Sequence, residues 1–303
     1  MIANVDNLIR IGSTQILRNA QLDPLSDLQL KKFAPTIFQK HAIEGVSDQY
    51  GFVSTYEIIK AMRAKNYECV EVRQSKRRDI DRMPFTKHMI KFKHPSTIKA
   101  LMKLGDVVPQ VVMLNSHDKS SGFHLYFGMF RLVCNNGLLV SAGDLVEPIR
   151  IRHNIRMVEG IVERSRTMLS GADNVYAVRE QMLGMQLSEK EALRFATDAL
   201  EFRPPRRTGL MLPNTLLTVL RPEDKPNDLW HVFNRVQENM LRGGTTTTTE
   251  GNRTVMTKGI GRIERDVQVN AALWGLAMQS LKQRGKASAK RGRKALTAEE
   301  VLA

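Results

Sequence analysis

The residues best equipped for chemistry are His117 and Asp118, in the run Asn115-Ser116-His117-Asp118. An imidazole beside a carboxylate is the pairing that orients a general base. With Arg131 to hold a phosphate, the segment would serve a phosphate-handling enzyme. The same four residues are also turn formers, whose side chains bond their own backbone. No second His or carboxylate stands one helical turn away, so the turn reading takes precedence, and His117 and Asp118 remain the only catalytic candidates. Cys134, beside Asn135-Asn136-Gly137, reads as a small hydrophobe in an apolar strand. Walker, GxGxxG, HExxH and paired CxxC motifs are all missing from the sequence, so neither a cofactor nor a metal is expected.

Cations are the second chemical resource. From Arg73 to Lys103 there are ten Lys or Arg against two acids, Asp79 and Asp81. In the strand predicted around Lys87 to His94, alternation puts Lys87, Met89, Lys91 and Lys93 on one face and His88, Ile90 and Phe92 on the other. Arg150, Arg152 and Arg156 alternate with Ile149, Ile151, His153 and Ile155 in the same way. Charged strands can simply protect a sheet edge, but an ordinary solvated surface mixes signs, and no acid lies between Lys87 and Lys103. Arg77, Arg78, Lys87, Lys91, Lys93, Arg131, Arg150, Arg152 and Arg156 are therefore the expected phosphate contacts. Arg131 is the lone cation of an apolar run and needs a carboxylate or phosphate partner. Tyr56, Tyr67, Phe85 and Phe92 lie close enough in sequence to stack on bases, although core packing is the commoner use.

Several elements must position these groups. Capping boxes at Ser26, Ser54 and Ser188 predict helices over 26–33, 54–65 and 188–201. Strands are expected over 67–74 and 85–94. The run Asn115 to Val140 reads as a buried meander, with Leu125, Phe127 and Met129 on one face and Tyr126, Phe130 and Leu132 on the other. Helical patterning follows over 155–183, 227–241 and 267–281, while 213–220 fits a helix or a strand. The threonine run 245–249 suggests a mobile loop or an exposed hairpin. The stripes carrying Trp230 and Trp274 are expected to dock on each other, with a subunit interface as the alternative. The fold class is α+β: a helix-plus-antiparallel-sheet unit over 1–154, a mainly helical part over 155–281 packed on it, and a disordered basic tail over 282–303.

A formal net charge of +15 over 303 residues favours a polyanionic partner, nucleic acid first. Two cysteines exclude a disulfide framework, and no run is long enough to span a membrane. The first residues lack the apolar core of a signal peptide. A soluble protein of the bacterial cytoplasm is expected, with no membrane partner.

Several strings then carry a resemblance: PLSDLQLKKFAPTIFQKHA, KHMIKFKH, VVMLNSHDKSSGFHLYFGMFRLVCNNGLLV, NDLWHVFNRVQENMLRGG and IERDVQVNAALWGLAMQSL. In this order they resemble a phage- and plasmid-associated family, domain of unknown function 932. The resemblance spans about residues 24 to 281. It implies a mobile-element setting and brings no catalytic residues. Charge and setting together lead to the expectation of a nucleic-acid-binding protein that holds single-stranded DNA and promotes annealing or recombination without nucleotide hydrolysis. A homo-oligomer would extend its short site into a track. The competing classes are a protein-binding antagonist of host defence or plasmid-maintenance factor, and the enzyme built on His117 and Asp118.

Overall fold

Antiparallel pairing in sequence order builds the sheet. The computed structural model describes residues 7–11, 14–18, 22–45, 52–97, 107–131, 137–140, 149–151, 157–203, 212–244, 246–248 and 254–299. Strands β1 (Asn7–Ile11), β2 (Thr14–Arg18), β3 (Glu68–Ser75), β4 (His88–Lys93), β5 (Val107–Asn115), β6 (Phe123–Arg131) and β7 (Gly137–Val140) are neighbours in that order. β8 (Ile149–Ile151) shares the outer edge of β6, pairing with Phe123 to Leu125 while β7 pairs with Phe127 to Phe130. The expected meander is thus the far side of the sheet. The β1–β2 hairpin was not legible beforehand.

Strands β4, β5 and β6 alternate as their sequences dictate. Ile90 and Phe92 of β4 join Val111, Met113, Leu125, Phe127 and Met129 in the main core. That face is covered by α1 (Asp27–Phe33), α2 (Thr55–Arg63) and α3 (Met157–Ser170). Ser26 begins α1 with the expected reciprocal capping box. Ser54 precedes α2 without a side-chain cap bond, and Glu57 pairs with Lys60 at 2.8 Å instead of closing a box.

The C-terminal half is helical, as expected: α3 is followed by α4 (Ala172–Gly184), α5 (Glu189–Leu200, boxed by Ser188), α6 (Pro213–Leu216), α7 (Leu229–Arg242) and α8 (Ile263–Glu299). The threonine run contributes β9 (Thr246–Thr248), paired with β10 (Thr254–Met256). One apolar cluster runs from Leu17 through the sheet to Ala277, so both halves share a core. Phe233 stacks on Trp230 and meets Trp274 edge-on, at centroid distances of 6.0 and 6.1 Å. Both tryptophans are buried within the chain, so their docking is internal.

Gly243 ends α7 at φ +70, and a Cβ there would overlap the backbone of Thr257 to Gly259. Glycine alone permits that close approach, which anchors the strand of chain leading into α8. The first turns of α8 then cover the second face of the sheet, where Ile263 and Val267 pack on Met89, Val112 and Leu114. The helix runs on to Glu299, through the basic segment for which composition predicts disorder.

Candidate nucleic-acid interface

A β-bulge sets the chemistry of the covered sheet face. Cys69 pairs with Phe92 and Glu71 with Lys91, so Val70 is the extra residue in β3. Without it Glu71 would point into the apolar core. With it, Glu71 faces Arg18, Arg73 and Lys91, at 2.6, 2.6 and 3.1 Å. Arg73 also pairs with Asp266 of α8. Asn270, one turn on, donates to Asp266 Oδ1 at 2.6 Å and accepts from Gln237 Nε2 of α7 at 2.6 Å. Sheet, α8 and α7 are thereby tied by one polar chain.

Burial alone would raise the Glu71 pKa, but the three cations hold the carboxyl well below its ordinary range. Burial would likewise lower the Arg73 pKa, and Glu71 and Asp266 hold it above ordinary. For Lys91 burial wins: its ammonium is pushed down to about 8, with Arg73 and Arg18 adding to the effect and Glu71 opposing it. Three cations against two carboxylates leave the cluster one positive charge in excess, and Lys91 bears the strain of it.

The expected open cationic face is therefore closed. Lys91 is 2% exposed. Lys87 pairs with Glu264 of α8 and donates to Ser120 O at 3.1 Å, and Lys93 pairs with Glu68 at 3.0 Å. The alternation holds, but the facing acids come from β3, with Glu68 and Glu71, and from α8, with Glu264. Arg131 has found a carboxylate: it meets Asp224 at 2.6 Å, and both side chains are buried. Arg150 pairs with His124 through the backbone of β8. Arg152 and Arg156 lie outside the described residues, as do Cys134, Asn135 and Asn136. Arg77 and Arg78 do stand at the surface, on the β3–β4 connection with Lys76 and Arg82. Arg77 is 38% exposed and reaches Asp118 at 3.0 Å; Arg82 leans on Asp79 at 3.5 Å. Of the aromatic candidates, Tyr67 and Phe92 are buried in the core.

Sequence reasoning did not anticipate Arg18, Glu71 or Asp266. The available signal was Glu71 itself, an acid inside the apolar strand Glu68–Ser75, which calls for buried cations as Arg131 calls for a carboxylate.

His117 and Asp118 sit at the other end of these strands. The Thr55 hydroxyl lies 2.9 Å from His88 Nε2 and 3.2 Å from His117 Nε2, and accepts from Asn115 Nδ2 at 3.0 Å. All four residues are buried, and the Phe52 ring covers His117 at a centroid distance of 4.9 Å. Asp118 accepts from the Ser120 N–H at 3.0 Å and Asn115 Oδ1 from the Ser116 N–H at 2.9 Å. Those are the local turn bonds expected of them. Burial pushes the His88 imidazole down to about 4, with its bond to the Thr86 carbonyl opposing. Among the described residues no group of three or more His, Cys, Asp or Glu is placed to hold a metal ion, and no helix is long and apolar enough to cross a membrane.

The family model described as Domain of unknown function (DUF932) matches residues 42–274. The chain belongs to this family. It is 29% identical over 275 residues to the UPF0380 protein YfjQ of Escherichia coli strain K12, covering 90% of this chain and 97% of that protein. Its likeness to YafZ of the same organism is 28% over 274 residues, with the same coverage. No solved structure matches. The DUF932 match takes in Glu71, Lys91, Asp266 and Asn270 and ends at Trp274, before the basic continuation of α8.

Proposed function

We propose that the protein binds nucleic acid, single-stranded DNA in preference, and promotes strand annealing without nucleotide hydrolysis, in the setting of a mobile element. The observation that carries this reading is the basic continuation of α8, with seven cations and no acid from Lys282 to Lys294. Lysines 282, 286, 290 and 294 recur at four-residue spacing, which places their positions along one side of the helix. Charge accounting supports it. Inside the fold six cations (Arg18, Arg73, Lys87, Lys91, Lys93 and Arg131) meet five carboxylates (Glu68, Glu71, Asp224, Glu264 and Asp266). Almost all of the net +15 therefore belongs to other positions. Arg77 and Arg78 add a second basic stretch. Contacts of this kind hold phosphates and leave bases free to pair.

The test is the anisotropy of labelled single strand, duplex and RNA titrated with the full chain at two salt concentrations. Single strand should bind tightest, with affinity falling as salt rises. The variant Arg77→Ala/Arg78→Ala should bind more weakly at low salt. Salt-independent binding, or equal affinity for a neutral polymer, would sink the proposal.

A further inference from the structure

Arg235 stands out from the other buried arginines. Arg18, Arg73 and Arg131 each touch a carboxylate. Arg235, 8% exposed, forms no ion pair among the described residues. Its Nη2 donates to Asn227 Oδ1 at 2.7 Å, and its Nε is buried without a partner. The two carboxylates nearest in effect, Asp224 and Asp228, are already engaged. Asp224 receives Arg131, and Asp228 caps α7 and holds His231 Nδ1 at 2.6 Å. Burial lowers the Arg235 pKa, with those two carboxylates opposing.

Arg235 lines a cavity of about 370 Å³ between the first turns of α5, the short α6 and the side of α7. That is at the lower end of the roughly 300–1,000 Å³ found for small-ligand sites. Lys190 brings a second cation to the wall, against one acid, Glu189. Asn214 and Asn227 offer amides, and Leu193 and Leu217 an apolar surface. Asn227 is fixed in place, because its Nδ2 donates to Leu187 O at 2.7 Å. A desolvated guanidinium with unused donors is costly unless something completes it. A planar fork beside an ammonium suits an oxyanion, phosphate above all.

We infer that the cavity between α5, α6 and α7 binds a small organic phosphate, its oxyanion held by Arg235 and Lys190 and its body resting on Leu193 and Leu217. This site is separate from the basic continuation of α8 and does not depend on nucleic-acid binding.

Calorimetric titration of the full chain with adenosine 5′-monophosphate, adenosine and inorganic phosphate tests it. The monophosphate should give a saturable one-to-one isotherm, with inorganic phosphate weaker and adenosine at least about tenfold weaker. Arg235→Met should abolish monophosphate binding. If that variant fails to fold, Lys190→Glu, at an exposed position, should still weaken binding several-fold. Arg77→Ala/Arg78→Ala should leave the isotherm unchanged. Monophosphate binding no tighter than that of adenosine would overturn the inference. So would affinity that survives Lys190→Glu but is lost in Arg77→Ala/Arg78→Ala, because the phosphate would then sit on the outer surface.

Discussion

A hydroxyl has one proton to donate and room to accept two, and the surroundings of Thr55 use all three. Asn115 Nδ2 donates to it. His88 Nδ1 faces the Thr86 carbonyl at 3.1 Å, so the proton sits on Nδ1 and Nε2 is left to accept the Thr55 proton. His117 Nε2 is then a donor to the same oxygen. A proton added at His88 Nε2 would leave three donors converging on one hydroxyl, which agrees with the imidazole being pushed down to about 4. Because the folded value lies below the ordinary 6.5, the stability from neutral His88 is complete above pH 6.5 and is lost as pH falls toward 4. The full loss is about 3 kcal/mol. Urea midpoints measured at pH 7, 5.5 and 4.5 should fall in the native chain and fall less in His88→Gln; parallel curves would refute the assignment. Thr55→Val strands buried donors and should cost about 2–3 kcal/mol at neutral pH. The sequence marked His88 as packed and His117-Asp118 as turn residues, and both readings hold. Thr55 was hidden because its role depends on a strand and a turn more than thirty residues away.

At the scale of elements, helix starts and strand alternation were legible because they are local. Ser26 and Ser188 cap as their spacing says, and Lys87, Lys91 and Lys93 do lie on the face opposite Ile90 and Phe92. What covers that face was not legible. Asp266 reaches Arg73 across 193 residues of chain, and a charge pattern within one strand cannot name so distant a partner. The β3 bulge was hidden for a related reason, since only the pairing register reveals it. The cluster makes a sharp prediction because its charges do not balance. Glu71→Gln leaves Arg18, Arg73 and Lys91 around a neutral amide and should cost about 3–5 kcal/mol. Lys91→Met removes the surplus cation and should be near neutral or stabilising. Lys91, with a folded pKa near 8 against 10.5, also makes the native chain gain stability as pH rises between those values, and Lys91→Met should remove that gain. Chemical unfolding of both variants decides it: equal and large losses would show that Lys91 is needed as a charge. Glu264, 42% exposed, is expected to contribute less than about 1 kcal/mol through Lys87.

For the whole molecule, the balance of charge separates what stabilises the fold from what remains for a partner. The net charge of +15 was visible at once, but its distribution was not, because the folded chain spends its acids on internal cations. Arg73 and Lys87 hold the sheet to α8 and Arg131 holds it to the Asp224 segment, while the basic continuation of α8 extends beyond Arg284, which meets Gln186 O and Glu191. Folding and polyanion binding should therefore come apart on truncation. A chain ending at Lys286 keeps the Arg284 contacts and loses Lys290, Arg291, Arg293 and Lys294. Its thermal midpoint should match that of the full chain. Its affinity for single-stranded DNA should fall, and the slope of log affinity against log salt should flatten by up to about 3, four phosphate contacts at roughly 0.7 each. Lys91→Met, by contrast, should leave that slope unchanged, since Lys91 faces Glu71 rather than solvent. An unchanged slope in the truncated chain, or a flattened one in Lys91→Met, would return the binding surface to the sheet and require α8 to lift away from it.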